Sequence, residues 1–274
     1  MMKKTTVALA LMAMATCMQA QTPILCEMEI TYSTNYGFKK ESKKLSEDLQ
    51  MLQVGTDGKS KFFSIWEERS KFVMDSLLNS GMDPMTMIQE RKRMGVDNGQ
   101  SYRVFKNMPE TGKLTYTESF MDELYYEEPL PPINWKMVEG DSVIAEYNCQ
   151  KAVGEWRGRT WTVWYTMDIP VSDGPWKLCG LPGLILKASE ADGYFSFSCV
   201  GVAKGNGKSF EQIKTKDMTK ATPKKMRELK EMSVNDIRGM IQNTIGVDPG
   251  EILTETGEAF KQEKYELVFI EEEK

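Results

Sequence analysis

The chain of 274 residues contains no histidine. That absence excludes Ser-His-Asp and Cys-His catalytic machinery, together with His-ligated zinc, copper and haem sites. It also removes the side chain that most readily moves protons near neutral pH, which leaves carboxylate, Tyr or Lys chemistry. Positive charge is in deficit: 35 Lys and Arg stand against 40 Asp and Glu, for a net charge of −5. A nucleic-acid binder needs the opposite balance to neutralise phosphates. No EF-hand spacing occurs, and no C-x2-C pair that would suggest a zinc site. Gly205-Asn206-Gly207-Lys208-Ser209 falls short of a phosphate-binding loop, because Val202 stands where G-x4-G-K-[ST] requires Gly. The 20 methionines fall mostly at core-like positions, where Met is an adaptable filler rather than a soft copper ligand. The expectation is therefore no metal, no cofactor, and a chain that leans away from catalysis.

No apolar run reaches the roughly 20 residues needed to span a bilayer. The N-terminus carries a shorter one, Val7 to Ala15, preceded by Lys3 and Lys4 and followed by Met18-Gln19-Ala20. This pattern reads as a secretory signal. Residues 1–20 are expected as a leader and 21–274 as one exported domain, in the periplasm or associated with the outer membrane. Cys17 would offer a lipid anchor, but Thr16 before it fits that cleavage poorly. Four cysteines follow the leader: Cys26, Cys149, Cys179 and Cys199. In an oxidising compartment an even count points to disulfides, with three pairings open, or to buried thiols.

What is present in quantity is strand pattern. Ile24–Ser33 opens the series, and the runs 49–54 and 59–66 flank Asp57-Gly58, a hairpin signal. Further runs follow at 101–107, 113–120, 123–128, 134–138, 143–152 and 159–167, with Gly140-Asp141 and Gly158 read as turns. The runs 184–189 and 194–202 flank Asp192-Gly193, and 265–270 closes the series. Trp161, Val163 and Tyr165 share one strand face, while Trp164 sits among threonines on the other. Two helical segments interrupt, at 67–94 and at 222–243, the second opened by Thr222 as N-cap and Pro223 at the first helical position. The fold class is mainly β or α+β: a curved antiparallel sheet, with an open half-barrel as one form, carrying two packed helical segments.

The densest stretch is Gly174-Pro175-Trp176-Lys177-Leu178-Cys179, running into Gly180-Leu181-Pro182-Gly183-Leu184-Ile185. Two glycines and a proline among large aliphatics signal a backbone path that other residues cannot follow. With Cys149-Gln150-Lys151-Ala152, Arg157-Gly158-Arg159 and Trp164-Tyr165-Thr166 before it, this order resembles the GLPGLI family, exported proteins of Gram-negative bacteria without a known activity. The resemblance implies export and no particular chemistry. Structurally, the signature would form a tight turn, a strained crossing and a buried strand filled by Trp176, Leu181 and Leu184. Functionally, the crossing would form a rim presenting Arg157, Arg159, Trp161, Trp164 and Trp176, since Arg–aromatic clusters are common anchors.

Two functional classes follow. One is a non-catalytic binding or accessory protein of the cell envelope, whose partner is an envelope protein or a lipid or peptide ligand. The other is a carboxylate-dependent hydrolase of an exported peptide or glycan. It would need two of Asp122, Glu123, Glu127, Glu128, Asp168 and Asp173 to converge in a cleft.

Overall fold

A computed structural model describes residues 23–40, 42, 44–120, 122–205, 207–209, 212–236, 238–239 and 263–272, so the leader and Cys17 lie outside the described residues. Period-two alternation of apolar residues, punctuated by turns, builds twelve strands. The chain runs β1 (Cys26–Tyr36), β2 (Ser46–Gly55), β3 (Ser60–Ser64), then α1 (Ile65–Asn79) and α2 (Pro84–Arg93). It continues with β4 (Tyr102–Lys106), β5 (Lys113–Ser119), β6 (Glu123–Pro129), β7 (Lys136–Ile144), β8 (Tyr147–Trp156) and β9 (Arg159–Thr166). The series ends with β10 (Leu184–Glu190), β11 (Phe195–Lys204), the short β12 (Thr219–Lys220) and α3 (Pro223–Asn235). No described helix is long and apolar enough to cross a membrane.

The twelve strands form one open sheet in the order β12-β6-β5-β4-β3-β2-β1-β11-β10-β9-β8-β7. Every pairing is antiparallel except β12 on β6, so the expected antiparallel sheet is in fact mixed. Prolines 129, 131 and 132 end β6 and release the chain to the opposite edge, where β7 begins. Tyr126 from one end of the sheet and Trp161 from the other belong to a single buried core. The sheet therefore curls around its inner face without closing, as right-handed strand twist accumulates.

Local chemistry explains most boundaries. Asp57 and Gly58 adopt φ 62 and φ 65, closing the β2–β3 turn as their dipeptide suggests. Ser64 ends β3 two residues earlier than the apolar run would, because its Oγ accepts from Glu67 N at 3.0 Å and caps α1. The helical stretch breaks in two at Gly81 (φ 74), giving three described helices in place of two segments. Thr222 Oγ1 accepts from Lys225 N at 3.1 Å, as expected for α3, which buries Met226 and Leu229. The described helix ends at Asn235, and most of the expected continuation lies outside the described residues.

Two expectations are corrected. Gly140-Asp141 makes no turn; it forms a bulge within β7, with Gly140 at φ 138, and β7 turns into β8 at Ala145 (φ 49) and Glu146 (φ 71). Neither residue carries a turn signature, so alternation alone could not place it. The stretch 265–270 is not a strand and makes one isolated bridge, Leu267 to Lys39. Its alternation is strand-like, but the segment lies over the cavity on the inner face and against Lys39 rather than along either sheet edge.

Candidate binding site

The signature stretch lies inside the curve. On β4, Lys106 points inward and is 2 % exposed. Its ammonium donates to the Asp173 carboxylate, to Gly174 O at 2.7 Å and to Leu178 O at 3.2 Å, so all three donors are used. Tyr32 O–H donates to Ile185 O at 2.7 Å, and Trp135 Nε1 to Cys179 O at 2.8 Å. The backbone path is the one the glycines announce. Gly180 stands at φ 95, and a Cβ on Gly183 would run into the Thr166 carbonyl oxygen. Trp176 adopts φ 51, a left-handed conformation that these surrounding anchors sustain.

From this stretch Lys177, fully buried, reaches back to the sheet. Its ammonium donates to Tyr126 Oη at 2.7 Å, to Glu128 Oε1 at 2.7 Å and to Glu271. Arg157, at the β8–β9 turn, donates to Glu271 Oε2 at 2.7 Å and to Glu128. Two cations and two carboxylates thus form a ring, each cation bridging both acids. Burial pushes the Glu271 carboxyl up, but Lys177 and Arg157 outweigh it and hold it below the usual carboxylate range. Beside the ring, Arg159 donates to Phe269 O at 2.9 and 2.6 Å and pairs with Glu190 at 3.1 Å.

A cavity of about 70 Å³ opens next to this ring. Its floor is the inner face, where Tyr102, Tyr116 and Tyr126 stack in succession with centroids 5.6 and 5.0 Å apart. Trp176 and Phe195 line one side, and α3 with residues 268–271 forms the roof. Lys230 of α3 ties that roof to the sheet through Glu118 at 3.0 Å. The Trp176 indole N–H, in a fully buried residue, has no hydrogen-bond partner. A second inner-face cluster joins Thr34, Gln50 and Tyr102, with Asp48 beside it accepting from Ser64 Oγ at 2.7 Å and Gln100 N at 2.9 Å. Burial pushes the Asp48 carboxyl up to about 6.

The five candidate binding residues separate. Trp161 and Trp176 are fully buried and 5.7 Å apart in the core, and Arg159 is buried in ion pairs. Arg157 is the one that reaches both the rim and the cavity's ring. Trp164 lies on the outer face, half-buried between the ammonium groups of Lys151 (5.6 Å) and Lys187 (5.0 Å). Sequence reasoning passed over Trp156, the indole beneath Arg157 at 5.2 Å. It also passed over Lys106, Lys177, Tyr116, Tyr126 and Glu271. Lysines at strand-like or signature positions, with no polar alternation to justify them, were the available signal.

The acids proposed for hydrolysis are distributed among separate partners. Asp173 pairs with Lys106, Glu123 with Lys71 and Arg103, and Glu127 with Lys220. Asp122 and Asp168 are exposed. Glu128 shares its cations with Glu271, an acid from the C-terminal run outside that set. Among the described residues no group of three or more acids or cysteines could hold a metal. The expected disulfides do not appear: Cys26, Cys149, Cys179 and Cys199 are separate buried thiols. Burial pushes Cys26 and Cys149 up to about 11, with Glu29 adding to the shift at Cys26.

Residues 155–187, from the β8–β9 turn through the signature, match the profile of a family described as "Protein of unknown function (Porph_ging)". No curated protein matches the chain. Solved structures of PNGF-II in the P21 and C2 space groups are similar over 74 % of this chain, at 16 and 18 % identity and TM-scores of 0.45 and 0.46. The chain spans 32 % of the length of those structures.

Proposed function

We propose that the chain is an exported, GLPGLI-type binding or accessory protein of the cell envelope whose ligand enters between the inner sheet face and its roof. One observation carries this reading: an aromatic-walled cavity sits beside buried charges that already satisfy one another. Stacked tyrosines suit an apolar or aromatic group. The buried charges fix the walls. Lys106 and Lys177 spend their donors on the signature, the sheet and the C-terminal segment, which leaves a shaped surface rather than a free acid–base pair. Export is supported by the Lys3-Lys4 and Val7–Ala15 leader pattern.

The test is titration of the full chain with an apolar fluorescent probe such as anilinonaphthalene sulfonate, beside a Met226→Trp variant that fills the cavity from α3. Saturable binding of about one probe per chain, lost in the variant, is the expected result. Equal binding by both proteins, or none by either, defeats the cavity as the site.

A further inference from the structure

The cavity is small for a ligand site, against the 300–1,000 Å³ such sites commonly enclose. Its roof is the C-terminal run, whose residues between 266 and 272 line this cavity and two neighbouring hollows. This segment makes one isolated bridge and bends at Ile270 and Glu271 without belonging to the sheet, and it is gripped the way a bound peptide is gripped. Its main chain is read at successive points. Lys40 N–H donates to Glu266 O at 2.9 Å, and Val268 N–H donates to Phe38 O at 2.8 Å. Arg159 forks onto Phe269 O, and Glu272 N–H donates to Arg157 O at 2.9 Å. The Asn235 side chain closes both polar groups of Tyr265, at 2.8 Å each.

The charges match in order along the segment. Glu266 faces Lys40, Glu271 faces Lys177 and Arg157, and Glu272 faces Arg159. Phe269 lies under the Arg227 guanidinium at 5.4 Å, and Val268 is buried. Burying a carboxylate between two cations is a poor way to gain stability, because apolar residues of the same volume commonly do as well. It is an effective way to select one sequence over another.

We infer that this groove is a peptide-recognition site whose resident occupant is the chain's own C-terminal segment, exchangeable for an acidic peptide carrying an aromatic residue two places before a glutamate. The inference rests on the binding reading above and deepens it by naming the ligand class. Main-chain bonds supply sequence-independent affinity, and the ring of Lys177 and Arg157 supplies the demand for the carboxylate. Because the resident segment is tethered, it competes at a high effective concentration, and outside peptides bind only when it lifts.

The experiment uses the full chain with the substitutions Phe269→Ala and Glu271→Gln, which loosen the resident segment and leave the groove intact. The probe is a fluorescein-labelled peptide with the sequence of residues 265–272, followed by polarisation. Saturable binding at least tenfold tighter than to the wild type is expected, weakened at least tenfold when the peptide carries Gln in place of its Glu271 equivalent. No saturable binding to the folded double variant, or equal binding of both peptides, overturns the inference. If the apolar probe still binds that protein, the cavity reading survives the loss. Should the double variant not fold, the wild type at millimolar peptide decides through amide exchange. Faster exchange at Val268 and Glu272 supports the inference, and unchanged exchange overturns it.

Discussion

Two segments lie inside the curve of the sheet without joining it there, the signature crossing at 173–183 and the C-terminal run at 265–272, and they are held by opposite means. The crossing is fixed by its own backbone. Gly183 touches the Thr166 carbonyl, Gly180 needs its left-handed φ, and Lys106 binds two of its carbonyl oxygens. The C-terminal run contains no glycine and is fixed from outside, by main-chain bonds to Phe38, Lys40 and Arg157 and by the side chains of Arg157, Arg159 and Lys177 that reach toward it. A backbone-limited segment cannot be replaced by another sequence without a clash. A segment held by arginine and lysine arms can be replaced by any chain that offers the same carbonyls and carboxylates.

Lys106→Met gives the largest expected effect. It leaves Asp173 buried without its cation and should cost about 3–5 kcal/mol, read as a shift in the urea midpoint. A cost below ~1 kcal/mol would mean that the crossing is no more firmly anchored than the C-terminal run, and the contrast would fail.

Glu271→Gln should cost less, about 2 kcal/mol at pH 7, because Glu128 still neutralises Lys177 and Arg157. The pH dependence identifies the source. A carboxyl held below its ordinary value near 4.5 contributes stability above that pH and loses it as the pH falls through the folded value. Wild type should therefore keep its advantage over Glu271→Gln above about pH 4.5 and lose it progressively as the pH falls below that. A difference that stays constant with pH would place the effect in packing.

The smallest effect concerns the thiols. With Cys179 locked in the crossing and three others in strands, a thiol reagent should find almost none of the four in the native protein and all four after unfolding without reductant. Silence after unfolding would restore the disulfides expected from an exported chain.

Much of the sheet was legible because hydrophobic alternation and turn dipeptides are local signals. Trp161, Val163 and Tyr165 face the core as their spacing requires, and Ser64 and Thr222 cap their helices. The signature's backbone constraint was legible too, since glycine and proline state it directly. The site was not. Glu128 and Glu271 are 143 positions apart, and only the curl of the sheet brings both to Lys177. Nor can composition tell which of many charged residues will be buried. Arg159 reads in the sequence as a surface arm and proves to be a buried brace for Phe269 O. Trp164 shows the converse: its threonine neighbours marked it correctly as lying outside the dry core, but not on which side of the sheet any partner would stand.

Arg157 occupies the first place of a two-residue corner, at φ 43, followed by Gly158 at φ 82, between paired Trp156 and Arg159. Such corners close most readily with Asn-Gly, because asparagine tolerates left-handed backbone and arginine does so reluctantly. A chain selected only for easy closure at this point would have a firmer hairpin and would leave Lys177 as the one cation shared by Glu128 and Glu271. The awkward residue at the corner is also the second cation that latches the run at 265–272, so ease of bending and length of reach are settled against each other at a single position.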